Sequence, residues 1–157
     1  MTQTLIISFA TLILMEPIVW MIHKYVMHGF LWVLHRDHHQ KYPKKGLEKN
    51  DLFVLFFALV SIAFIYSGVI SKNQVTLGIG IGMTGYGILY FLMHDVLSHQ
   101  RIKLFRRVKN PYFLAVTWAH KQHHKNLEKD NAECFGFVYL FPIKYYKLAF
   151  KERKNKT

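Results

Sequence analysis

Ten histidines are the residues of this 157-residue chain best suited to chemistry, because they fall into four short motifs with none left over. HKYVMH and HDVLSH have the spacing H-x4-H, whereas HRDHH and HKQHH have the spacing H-x2-H-H. A lone histidine is usually a hydrogen-bonded core or surface residue, but that role does not explain a doubled pattern. Imidazole is the commonest metal ligand in proteins. The motifs therefore predict a metal site built from His23, His28, His35, His38, His39, His94, His99, His120, His123 and His124.

The two spacings place imidazoles differently on a helix. H-x2-H-H puts residues i, i+3 and i+4 on one face, so its side chains can converge on one centre. Residues i and i+5 of H-x4-H are about 140° apart on an α-helix, so we expect those side chains to diverge. The pair could then reach two adjacent metals, or one member could ligate from a helix end bent at Gly29. So many imidazoles exceed the needs of one ion, which indicates two metals.

The type of ligand limits the choice of metal but does not identify it, since imidazole suits zinc, copper, iron and nickel. A structural zinc site needs only four ligands. The sequence contains neither HExxH nor the Glu-x-x-His motif of carboxylate-bridged di-iron proteins. One cysteine, Cys134, provides no disulfide framework, Cys-rich zinc site or iron–sulfur cluster within the chain, and is expected to be a small buried or interfacial side chain. Imidazole ligands with open positions suit dioxygen activation, so we expect two iron ions, although zinc could fill such a site in isolated protein.

Long apolar segments are the elements that must position these motifs. Hydrophobic residues make up 52% of the chain, and 52–70 and 75–93 contain no charged residue. At about 1.5 Å per residue each segment gives a helix of about 28 Å, which crosses the hydrocarbon core. Another span is expected at 5–22. No cleavable signal peptide is expected, because such a peptide needs positive charge near its start and the first cationic residue is Lys24.

Two further segments are candidates for contact with the membrane. The segment 111–119 could dip into the bilayer as part of a fourth span. The segment 135–150 is aromatic, is interrupted by Pro142 and contains several lysines, so it is expected at the membrane surface. The prediction is one membrane-integral domain over 1–157. Its fold class is all-α, with three to four transmembrane helices and a histidine-rich dimetal cap.

The distribution of positive charge predicts the orientation. Of the 21 Lys and Arg residues, Lys72 alone lies in the turn between the second and third spans, and the others lie on the opposite side. The positive-inside rule makes that side cytoplasmic. Every histidine lies there too, so the metals are expected at the cytoplasmic face. The net charge of +12 is explained by this topology, and no nucleic-acid partner is expected.

Three acidic residues could support the histidines. Glu16 is the only acid inside a predicted span, where such residues are costly and often functional. It precedes His23 by seven residues and could accept an imidazole N–H, relay a proton or make a structural contact near Pro17. Asp37 and Asp95 lie beside histidines in sequence and could orient imidazoles or be solvated.

The quoted motifs resemble those of the fatty acid hydroxylase and sterol desaturase superfamily. More closely, the chain resembles the bacterial β-carotene 3-hydroxylases over about 15–141, through MEP, HKYVMHG, HRDHH, GLEKNDLF, GMTGYGILYFLMHDVLSHQR, AHKQHH and ECFGFVYLF. The histidine motifs mark only the superfamily. The combination of HKYVMHG with NDLF and MTGYGILYFLMHD is more specific. The Lys-rich tail after Tyr145 has no clear counterpart and is expected to touch the membrane surface.

The resemblance implies a di-iron enzyme that hydroxylates the β-ionone rings of β-carotene at carbon 3, using dioxygen and two electrons. The products would be β-cryptoxanthin and zeaxanthin, and all ten histidines would be ligands or their close neighbours. No flavin, haem or nicotinamide motif is present, so an external donor such as ferredoxin with its reductase is implied. The location would be the bacterial inner (plasma) membrane. A carotene is about as long as the ~30 Å hydrocarbon core, so one ring could reach the metals from within the bilayer.

Two other functions fit parts of the pattern. The first is a hydroxylase or ketolase acting on another membrane lipid, such as a fatty acid, a sterol or another carotenoid. The second is a non-catalytic metal transporter or sensor. This last reading is disfavoured because, Glu16 aside, the spans offer few polar residues for an ion path.

Overall fold

The computed structural model describes residues 1–40, 46–104 and 108–154, and within these ranges the fold contains helices and no strand. In chain order its elements are α1 (Thr2–Ile22), the π-helix π1 (His23–Phe30), α2 (Trp32–His35), α3 (Asp51–Ile70), α4 (Gln74–Phe91), the π-helix π2 (Leu92–Ser98), α5 (Pro111–His123) and α6 (Ile143–Lys154). The all-α fold class is therefore confirmed.

Three of these helical segments are long and apolar enough to cross a membrane. They are Thr2–Phe30, Asp51–Ile70 and Gln74–Ser98. Large apolar side chains on them point away from the protein: Phe9 is 67% exposed and Phe56 is 59% exposed. Such exposure is expected of side chains that face lipid. α5 has 13 residues, fewer than the roughly 20 that a full crossing requires, so the described part of the chain has three candidate spans.

Helix α4 lies between α1 and α3, and glycines on two of its faces allow close packing. A Cβ atom on Gly82 would lie 2.5 Å from the Ser8 carbonyl oxygen and 2.6 Å from Thr11 Cβ on α1. A Cβ atom on Gly80 would lie 2.7 Å from the Ile65 backbone nitrogen on α3. Small residues at such contacts let membrane helices approach each other closely. These two glycines therefore bring α1, α3 and α4 together.

Asparagine side chains fix where α4 and α5 begin. Asn73 Oδ1 accepts hydrogen bonds from the backbone N–H groups of Val75 and Thr76, at 2.9 and 3.1 Å. Asn110 caps α5 in the same way, with Pro111 at the first helical position. The predicted spans 52–70 and 75–93 leave a turn at 71–74. The turn in the structure is one residue shorter than this, because Gln74 already belongs to α4.

The segment predicted to lie at the membrane surface, 135–150, has two different parts. Residues 135–142 form no helix, and both Phe135 and Phe137 are buried. Residues from Ile143 onward form α6, which packs on α5 through the buried Tyr145 and Ala149. Cys134, at the start of this segment, is buried as expected.

Candidate metal centre

HKYVMH lies in π1, and HDVLSH lies in π2 with His99 as its C-cap residue, which corrects the expectation that their side chains diverge. Hydrogen bonds in a π-helix join residue i to residue i+5, so residues five apart lie nearly above one another. The rings of His23 and His28 are accordingly 5.2 Å apart, and those of His94 and His99 are 4.6 Å apart. Gly29 provides the predicted bend after the first pair, with a non-helical φ of −105° and ψ of −125°.

The two H-x2-H-H motifs differ in backbone. HKQHH lies at the last turn of α5, with His124 as the C-cap residue, as a helical arrangement predicts. HRDHH leaves the helix at His35 and continues through turns, in which His38 N–H donates to the His35 carbonyl at 3.1 Å. The helix-face geometry described for this spacing therefore does not apply to HRDHH. The turn instead sends His38 and its neighbour His39 to different parts of the site.

The histidine nitrogens converge in two groups. Within each group, one nitrogen from every member lies within 4.8 Å of the others. The first histidine group contains His23, His28, His35, His39 and His123, and the second contains His38, His94, His99 and His120. His124 lies between them: its ring is 4.4 Å from that of His39 and 4.5 Å from that of His120. Its Nε2 atom is buried without a hydrogen-bond partner among the described residues.

Hydrogen bonds fix the tautomer of every ring in the first histidine group. Four Nδ1 atoms face backbone carbonyl oxygens, which only accept, so each Nδ1 carries the proton. These pairs are His23 with Phe135 at 2.9 Å, His28 with Lys129 at 2.9 Å, His39 with Asn126 at 2.9 Å and His123 with Glu133 at 2.7 Å. His35 Nδ1 donates likewise to Asn50 Oδ1, at 2.7 Å. Neutral rings in this tautomer point bare Nε2 lone pairs inward.

These lone pairs face one another at short range, which a bound cation would explain. His35 Nε2 lies 3.1 Å from His23 Nε2 and 3.1 Å from His39 Nε2. His28 Nε2 and His123 Nε2 are 3.2 Å apart. Burial lowers the pKa of His35 to about 2 and that of His39 to about 4, so the rings are neutral near pH 7. The donor set therefore fits a transition metal that accepts imidazole, such as iron or zinc.

Two members of the second histidine group, His38 and His94, are supported by carboxylates instead of carbonyls. His38 Nδ1 lies 2.8 Å from Glu48 Oε2, and His94 Nδ1 lies 3.3 Å from Asp95 Oδ2. Arg101 holds Asp95 from the other side, with Nη1 2.9 Å from Asp95 Oδ1. Burial raises the pKa of Glu48 to about 7, so charge on the metal or its ligands would govern its ionisation. Carboxylate partners make imidazole a stronger donor to a metal.

Sequence reasoning did not find Glu48 and Asn50, although both lie in the quoted GLEKNDLF motif. Of the three acids it did predict, Asp95 alone contacts a histidine within the described residues. Asp37 accepts from the Lys49 backbone N–H at 2.8 Å, and its other oxygen is buried without a partner. Glu16 is fully buried and accepts from Tyr86 and from backbone amides after Gly136. Its surroundings thus differ from those of a carboxylate that orients an imidazole.

Changing Glu48 to alanine should weaken metal binding. The change removes the acceptor that orients His38, a loss that typically reduces metal affinity about 10–100-fold. Metal content per chain, measured after dialysis against increasing chelator concentrations, would show release at lower chelator concentration. Glu128→Ala is the matched control, because the Glu128 side chain is exposed and its carboxylate makes no hydrogen bond within the described residues. Identical release curves for the two variants would contradict this role of Glu48.

An apolar cavity of about 460 Å³ lies between α1, α3 and α4, and its inner end is closed by aromatic side chains that pack on histidines. Along α3 its lining runs from Phe53 to Ile62, about 14 Å at about 1.5 Å per residue. At the histidine end it is lined by Tyr90 and Phe137. Tyr90 stacks on His94 with ring centres 4.7 Å apart. An apolar molecule in this cavity would thus lie one aromatic side chain away from the histidine rings.

Comparison with known proteins places the chain in a family. The sequence profile of the family described as fatty acid hydroxylase matches residues 8–143. A β-carotene hydroxylase of Pantoea ananas is 41% identical over 150 residues, which cover 94% of this chain and 83% of the relative. A β-carotene hydroxylase of Paracoccus sp. (strain PC1) is 38% identical over 144 residues, which cover 91% of this chain and 87% of the relative.

A plant relative, the chloroplastic β-carotene 3-hydroxylase 2 of Arabidopsis thaliana, is 32% identical over 138 residues. These residues cover 85% of this chain and 44% of the relative. No solved structure matches the chain. The histidine motifs and both bacterial matches support one assignment. The chain belongs to the fatty acid hydroxylase family, within the group that contains the bacterial β-carotene hydroxylases.

Proposed function

We propose that the protein hydroxylates the β-ionone rings of β-carotene at carbon 3, giving β-cryptoxanthin and then zeaxanthin. The apolar cavity, whose inner end is lined by Tyr90 and Phe137 that pack on histidines of both groups, carries this proposal. It joins a site for a hydrocarbon to a site for redox-active metals. The names of the bacterial and plant relatives support the choice of β-carotene.

The dimensions of the cavity suit one end of a carotenoid. Its length of about 14 Å is roughly half of the ~30 Å hydrocarbon core, so the far end of such a molecule would remain in the bilayer. The lining consists mainly of apolar side chains, including Met15, Val19, Ile22 and Phe57. It would therefore bind a β-ionone ring and the adjoining polyene through apolar contacts.

The two histidine groups would hold two iron ions, and all ten histidines are proposed as ligands or their close neighbours. When bound, iron would supply the activation of dioxygen that places one oxygen atom in a ring C–H bond. Each hydroxylation then consumes one dioxygen, two electrons and two protons, and releases one water. Hydrogen bonds at Nδ1 position the rings of the first histidine group and those of His38 and His94, and burial of the histidines keeps bulk water out.

The electrons are proposed to come from an acidic donor such as ferredoxin with its reductase. Arg36, Lys125 and Lys129 are exposed and adjoin the histidine motifs in sequence. Positive charge there would favour docking of an acidic protein. We assign the protein to the inner (plasma) membrane of a bacterium, as a single domain over 1–157 with its histidines on the cytoplasmic side. The distribution of Lys and Arg around the spans supports this orientation.

A second candidate is hydroxylation, or oxidation to a ketone, of another membrane lipid. The family description, fatty acid hydroxylase, favours it, since the same histidine motifs serve more than one substrate. The cavity would accept other apolar chains of similar width.

Pigment analysis tests the proposal directly. We expect a β-carotene-producing bacterium that expresses this chain to accumulate β-cryptoxanthin and zeaxanthin. The same host with the His120→Ala variant should retain β-carotene, because His120 belongs to the second histidine group. Unchanged β-carotene beside abundant, membrane-inserted wild-type protein would refute this substrate. Lipid profiling of that strain would then identify a hydroxylated fatty acid or sterol.

A further inference from the structure

Glu16, on α1, binds the backbone of the non-helical segment that follows Gly136. Its Oε1 atom accepts the N–H groups of Phe137, Val138, Tyr139 and Leu140, at 2.9, 2.8, 3.1 and 3.1 Å. Its Oε2 atom accepts the hydroxyl of Tyr86 on α4 at 2.5 Å. Glu16 is fully buried, so these five donors replace the water that the carboxylate has lost. The carboxylate therefore fixes residues 137–140 to two membrane helices.

Pro17 provides a second attachment for the same segment. Proline has no backbone N–H, so the carbonyl of Ile13, four residues earlier in α1, loses its helical donor. The hydroxyl of Tyr139 donates to that carbonyl at 2.8 Å. The adjacent residues Glu16 and Pro17 thus hold one short segment at two points.

The side chain that this attachment positions is Phe137. Its ring lies parallel to that of His23 in the first histidine group, with centres 5.1 Å apart and planes at 13°. It meets His94 of the second group edge-on, at 5.1 Å. Phe137 also lines the apolar cavity and contacts Tyr90 at 4.8 Å. It therefore forms a common wall between the cavity and both groups.

We propose that Phe137 determines which ring carbon of the substrate is hydroxylated, and that Glu16 is the positioning residue that holds Phe137 in place. This inference rests on the proposed function. A ring entering from the cavity meets Phe137 before it reaches the histidines, so the bulk of Phe137 limits how far the ring advances. Carbon 4 of a β-ionone ring is allylic and has a weaker C–H bond than carbons 2 and 3, so reactivity alone would not select carbon 3. Depth of entry must therefore select carbon 3 over carbons 2 and 4.

The test is the distribution of positional isomers formed from β-carotene by Phe137→Leu, Phe137→Ala and the wild type. We expect isomers hydroxylated at carbon 2 or carbon 4 to rise at least about tenfold relative to the carbon 3 product, since small volume changes in an apolar pocket alter discrimination by that order. Glu16→Gln should shift the ratio in the same direction, by less. Metal content per chain should stay unchanged in Phe137→Leu.

Phe135→Leu is the matched control, because Phe135 contacts His23 and His123 but does not line the cavity. Whatever the rate of the Phe135→Leu variant, the isomer ratio of its products should equal that of the wild type. If Phe137→Leu and Glu16→Gln also kept the wild-type ratio while losing conversion, both residues would be merely structural and the inference would be overturned. If wild-type protein made no hydroxylated carotenoid, the proposed function would fail and this inference with it.

Discussion

Replacing His123 with alanine should abolish hydroxylation and remove one of the two proposed metal ions. His123 is fully buried and contributes one of the five converging nitrogens of the first histidine group. Loss of a hydrogen-bond partner of a ligand costs up to about 100-fold in activity, so loss of the ligand itself should cost more than that. The second histidine group shares no member with the first and should keep its ion.

Metal analysis of purified protein, together with pigment analysis, checks this result. We expect about two ions per chain for the wild type and about one for His123→Ala. His38→Ala, which affects the second histidine group, should give the same count with the other ion lost. Glu128→Ala, at an exposed position, should behave as the wild type does. Full activity of either histidine variant would refute the dimetal site.

The sequence predicts the membrane helices and the histidine motifs well because both signals are local. An uncharged segment long enough to cross a bilayer specifies a helix whatever surrounds it, and 52–70 and 75–93 match α3 and α4 within a few residues. The histidines recur in motifs of fixed spacing, so their shared purpose is visible before any fold is known. The convergence of His23 and His28 was missed because it depends on a π-helix. Their i, i+5 spacing is itself the signal that could have predicted one.

The hydrogen-bond partners of the histidine rings could not be predicted from the sequence, and the reason is different. Four imidazoles of the first histidine group donate to backbone carbonyls, and every residue has a carbonyl, so the sequence carries no mark of them. The contacts are also long-range: Lys129 and His28 are 101 residues apart. Glu16 was singled out as costly in a membrane, but its partners after Gly136 lie more than 100 residues away. Only the folded chain shows that its charge is used to bind a backbone segment.

Replacing Gly136 with alanine should disrupt this arrangement and greatly reduce activity. A Cβ atom there would overlap the Leu140 carbonyl oxygen and lie 3.0 Å from Glu16 Oε1. The segment would have to move, and the amides of Phe137 and its neighbours would leave the carboxylate. An uncompensated buried charge destabilises a protein by about 3–5 kcal/mol, which is a large part of the free energy of unfolding of a typical protein. We therefore expect little folded, metal-loaded Gly136→Ala protein.

Thermal unfolding in detergent, followed together with metal content, measures how much stability and metal the Gly136→Ala variant loses. Gly87→Ala is the matched control, because a Cβ atom on Gly87 meets nothing within 4 Å, and alanine favours a helix over glycine by about 0.5–1 kcal/mol. The double variant Glu16→Gln with Gly136→Ala should be less destabilised than the sum of the single changes, since the two residues act on one contact. Additive effects would show that Gly136 acts independently of Glu16. Wild-type stability of Gly136→Ala would show that the segment is not held by the carboxylate as described.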